Sequence, residues 1–109
     1  MSDNSVLRVV WNGNLRAVSA SGSCTRWYFT FNDNECDNPF PIDTSMHTHG
    51  SQNMHVGISV EGMCYGIGKG EIRVAFHVST PCSGHPASDA YTGWQSVSRI
   101  IIEEIPIAQ

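Results

Sequence analysis

The side chains of this sequence most able to do chemistry are four cysteines, five histidines and a short acidic turn. Cys24, Cys36, Cys64 and Cys82 contain no C-x2-C pair, which argues against a zinc knuckle and for disulfides in an oxidising compartment. Four cysteines allow three pairings, and spacing alone does not choose among them. His47 and His49 flank one residue, so an extended segment would point both imidazoles to one side, where His55 could join them. That set could hold Zn, Ni or Cu, or a metal on a threefold axis, although a His-Thr-His run in a polar loop is more simply solvated histidine. Asp33, Glu35 and Asp37 could ligate calcium in an extracellular module, but the plainer reading is a solvated turn.

Other resemblances to catalytic motifs do not hold. Gly66-Ile67-Gly68-Lys69-Gly70 lacks the spacing of a phosphate-binding loop and precedes no helix, so it reads as a turn needing positive φ. Ser96, Ser98 and His85 have no G-x-S-x-G elbow to raise a nucleophile. No catalytic residue and no cofactor follows from the sequence, and an enzyme is not expected. A metal-dependent enzyme on His47, His49 and His55 is the least favoured of three readings.

The elements that must position these groups read as β throughout. Residues 6–11 and 15–18 flank Asn12-Gly13, a favoured type I′ pair, so a hairpin is expected. In residues 25–31, Trp27, Phe29 and Phe31 share one face, and Arg26, Tyr28 and Thr30 share the other. Three aromatic rings on one face need a deep apolar layer, supplied by the protein's own core or by a partner's. Pro39 and Pro41 keep the next segment irregular or at an edge. Strands are expected at 42–49, 55–60 and 71–79, a glycine-rich turn at 62–70 and a loop at 80–93. The strand 71–79 places Ile72, Val74, Phe76 and Val78 on one face and His77 on the opposite one. A last strand within 94–105 carries Ile100, Ile101 and Ile102 in succession, so it should be covered on both faces, by the core and by a neighbouring subunit.

Seven or more short strands argue for an all-β sandwich or jelly roll. At 109 residues and 40% apolar content the chain, 1–109, makes one domain with one core. Residues 1–5 read as an unstructured leader. The N-terminus lacks the order of a signal peptide, so either a mature fragment or an expressed piece beginning at an added Met1 is expected. Charged residues are only 15%, against about 25% in an average chain, which suggests surface not meant for water. A net charge of -4 with the single lysine Lys69 argues against nucleic acid and anionic membrane as partners. No apolar run approaches the ~18 residues of a membrane-spanning helix.

The RWYFTF run at 26–31 with Cys36 after it, VEGMCYGIG at 60–68 and TGWQSVSRIIIEEIP at 92–106 resemble the C-terminal domain of the collagen triple helix repeat-containing protein 1 family. The resemblance covers about residues 6–106. It implies a C1q/TNF-like jelly roll assembling as a homotrimer, in a secreted, extracellular matrix glycoprotein. By the same resemblance, its partners are other copies of itself, matrix components and a Wnt/Frizzled-type receptor complex of the planar cell polarity branch. The sequence holds no Gly-X-Y repeat and no Asn-x-Ser/Thr sequon. The expected function is therefore non-enzymatic extracellular trimerisation and recognition. Core and interface would come from Trp27, Phe29, Phe31, Ile100, Ile101 and Ile102, and the four cysteines would act as internal staples. A monomeric lectin-like or adhesion sandwich is the alternative.

Overall fold

Leu7 to Val18 pairs residue for residue with Cys64 back to Asn53, and this ladder leaves no hairpin at Asn12-Gly13. In the computed structural model, which describes residues 5–18, 23–48, 53–68, 70–79, 89–93 and 95–106, β1 is one strand, Ser5–Val18. It begins within the segment read as a leader: Ser5 is buried, and its hydroxyl donates to Glu104 Oε2 at 2.7 Å. The expected turn fails because β1 is paired on both flanks, and long-range ladders outweigh local turn preference. The type I′ geometry appears instead at Asn32 and Asp33, both at positive φ (51° and 71°), between hydrogen bonds joining Phe31 and Asn34.

The other described strands are β2 (Ser23–Phe31), β3 (Asp43–Thr48), β4 (Asn53–Cys64), β5 (Val74–Ser79), β6 (Asp89–Thr92) and β7 (Arg99–Pro106). One antiparallel sheet has β1 between β4 on one flank and β6 and β7 in line on the other. The second has the order β3-β2-β5. Residues 89–92, expected as loop, are drawn into the first sheet by the free edge of Leu15–Val18. Arg73 does not join β5, because its N–H donates to Asn32 Oδ1 (2.8 Å) and its carbonyl accepts from Asn32 N–H (2.9 Å). The 71–79 strand therefore starts at Val74. Gly62 belongs to β4 rather than to a turn. A side chain there would meet Ile42 atoms at 2.7–2.9 Å.

The two sheets pack face to face as a β-sandwich. Leu7, Val9, Trp11, Leu15 and Ala17 of β1 face Trp27, Phe29 and Phe31 of β2, and all eight are buried within the single chain. Phe76 from β5 stacks on Trp11 at 5.0 Å and tilts against Phe29 at 4.8 Å. Trp27 Nε1–H donates to Thr92 Oγ1 at 2.9 Å, so the largest buried side chain also satisfies its polar atom and ties the sheets together. The Cys36–Cys64 disulfide joins the segment after β2 to the end of β4.

Candidate functional site

The largest run of exposed apolar side chains in the strands lies on β7. Ile100, Ile101 and Ile102 are 45%, 42% and 51% exposed, and Val97 just before them is 73% exposed. Within one chain the expected double cover is absent. Register places Ile101 beside Val10 on the outer face, and Ile100 and Ile102 beside Trp11 and Val9 on the inner face. The inner pair is still exposed because no strand of the second sheet lies beneath it. A groove of about 290 Å³ opens there instead, lined by Leu7, Ile72, Val74, Ile102 and Glu104. The far edge of β7 has no partner strand among the described residues, so its backbone groups face outward.

Charged residues bracket this stripe and hold it in register. Arg8 of β1 lies between Glu61 of β4 (2.7 Å) and Glu103 of β7 (3.0 Å). Those bonds, to Glu61 first, raise the guanidinium pKa. At the other end, Gly93 and residues 95–98 lie off the edge between β6 and β7. They are fastened by Gly93 N–H to the Asn14 carbonyl (2.8 Å) and by Asn14 Nδ2–H to Ser96 Oγ (3.0 Å). Gly13 makes room for this excursion, since a Cβ there would lie 2.6 Å from Ser98 Oγ. Ser96 thus anchors this segment, Ser98 lies close against Gly13, and His85 lies outside the described residues.

The three-histidine set is not assembled. Strand alternation puts His47 on the outer face of the second sheet and His55 on the outer face of the first, with the core between them. His49 lies outside the described residues. Among the described residues no group of three His, Cys, Asp or Glu could hold a metal. His47 Nε2 is 3.6 Å from Cys24 Sγ; Cys24 is buried and disulfide-bonded, and Cys82 lies outside the described residues. The acidic turn is bound to arginines instead of a cation: Asp33 to Arg73, and Glu35 to Arg26, which also reaches Asp43 Oδ2 at 2.7 Å. The Glu35 bonds, with Asp43 adding to them, raise the Arg26 pKa. Gly66, Gly68 and Gly70 all have positive φ, the turn conformation read from the sequence.

One arrangement was missed from sequence. The Arg26 guanidinium lies over the Tyr28 ring (4.6 Å), Tyr28 stacks on His77 (5.2 Å), and His77 Nε2 meets Thr30 Oγ1 at 2.8 Å. The shared outer face of Arg26, Tyr28 and Thr30 was readable, and so was His77 on the outward face of its own strand, but the pairing that sets the two strands side by side was not.

The family model described as CTHRC1, C-terminal domain, matches residues 1–102 of this chain. No solved structure matches it.

Proposed function

The chain belongs to the CTHRC1 C-terminal domain family, an extracellular and non-enzymatic family of matrix-protein domains, and from this we propose a trimerising head. In this reading the sandwich is a jelly roll of the C1q/TNF-like type in a secreted glycoprotein. Three copies align the collagen-like strands to which such heads are joined. Linking three heads raises avidity for a matrix site or a Wnt/Frizzled-type receptor complex without any new contact.

The observation that carries the reading is the exposed isoleucine edge. The aromatic residues are already hidden inside one chain, so they do not require a partner, whereas β7 does. Covering the exposed halves of three isoleucines is worth roughly 2–4 kcal/mol per chain. Losing translational and rotational freedom costs about 4–15 kcal/mol, so the contact must also cover Val97, Val78 and the groove beside β5. Interfaces of this kind have an apolar centre and a polar rim, which the Arg8, Glu61 and Glu103 pairs would supply.

Sedimentation equilibrium at micromolar concentration tests it. The expected mass is three times 11.9 kDa, dropping to one chain when Ile100 and Ile102 are both replaced by serine. Folded single chains, or a mass of two chains, would overturn the proposal.

A further inference from the structure

The turn that follows β2 stands between two clefts. One, of about 360 Å³, is lined by Tyr28, Thr30 and His77 on one side and by Asp33, Asn34 and Glu35 on the other. The second, of about 300 Å³, shares Asn34 and Glu35 as its wall and is closed by Asp37, Tyr65 and Ile67. Each is an open groove rather than an enclosed pocket, suited to a ligand held along one side. The shared wall is held in place from both ends. Two backbone hydrogen bonds, 2.7 and 3.1 Å, close the turn between Phe31 and Asn34, and the Cys36–Cys64 disulfide anchors it next to Tyr65. Little ordering is left for a ligand to impose.

The lining selects the ligand's chemistry. Asp33 and Glu35 are already neutralised by Arg73 and Arg26, so they do not need a cation, yet their oxygens can still accept from hydroxyls. The Tyr28 hydroxyl, the Asn34 side-chain oxygen and the Asp37 carboxylate have no partner among the described residues. Asp37 is an uncompensated negative charge, which disfavours phosphate and sulfate. The strand that forms the floor of the first cleft, β2, is paired on both sides and offers no backbone groups to an extended peptide there. What fits is a flat, uncharged molecule with many hydroxyls and apolar C–H faces that can lie against aromatic rings.

We propose that the 32–37 turn is a binding site for an uncharged oligosaccharide, with one sugar bonding to the Tyr28 hydroxyl, the next lying against the Tyr65 ring, and Asn34 bonding between them. The site faces outward on the second sheet, whereas Val78 shares the inward face with Trp27, so sugar binding is read separately from the assembly proposed above.

The test is ¹⁵N-resolved NMR of the whole chain titrated with lactose, cellobiose, maltose and chitobiose, with heparin as an anionic control. At least one neutral disaccharide is expected to shift amides within 28–37, 65–67 and 77, with millimolar affinity. Asn34→Ala and Tyr65→Ala should each weaken it by about tenfold, the worth of one lost contact or hydrogen bond. Tyr28→Phe, which keeps the stack and removes only the hydroxyl, should also weaken it while leaving the spectrum folded. Shifts from none of the four sugars, shifts mapping to other residues, or tighter binding of heparin at these amides would each overturn the proposal.

Discussion

β2 and β7 carry similar apolar weight but different patterns, and the structure treats them differently. In β2 the aromatics alternate with polar residues, and Trp27 and Phe29 are fully buried by their own chain. In β7 three isoleucines run together and all remain about half exposed. An alternating strand has one face to hide, and one sheet packed against it suffices. A continuous run has two, and at a sheet's edge a single chain covers neither completely. Alternation therefore marks apolar surface that a chain hides by itself, and a run at an edge marks surface that its own second sheet leaves exposed.

The sharpest way to break this contrast is in β2. Trp27→Ala should cost about 3–5 kcal/mol of stability, read from the urea unfolding midpoint, because it opens a cavity and orphans Thr92. A loss below about 1 kcal/mol would mean that β2 does not organise the core. Replacing Cys36 and Cys64 together by serine should cost about 3–4 kcal/mol, the loop-closure contribution of a bridge spanning 28 residues. Gly62→Ala, which pushes a methyl group into Ile42, should cost about 1–3 kcal/mol by the same assay. The smallest stability effect belongs to β7. Ile101→Ser should change protomer stability by about 1 kcal/mol or less, while shifting the mass in solution toward one chain. A large stability loss there with unchanged mass would make β7 a core strand and erase the contrast.

What could be read from sequence follows the same division. The faces of β2, β4 and β5 were legible because alternation over several residues admits one register with a dry side. The continuity of β1 was not. Asn12-Gly13 has the chemistry of a tight turn, and only the strands arriving from 53–64 and 99–106 show that Gly13 serves close approach by Ser98. The histidines failed for a similar reason. His47 and His55 are eight residues apart in sequence, yet β3 and β4 lie in different sheets, and no local pattern reports that change. The pairing of Cys36 with Cys64, left open among three choices, is settled by the same long-range register that sets the end of β4 beside the segment after β2. The Arg26–Tyr28–His77 stack was half visible, since two of its members share one strand.

One flank of β1 is filled by β7, the last of the described strands, from Ser5 against Pro106 to Asn12 against Arg99. During synthesis at about 5–20 residues per second, the first strand therefore waits on the order of 5–20 s for its neighbour to leave the ribosome. Val6 and Val10 stay uncovered for that interval, and the nascent chain is open to chaperones or to mispairing. The fold closes like a clasp whose two halves are the first and the last of the described strands.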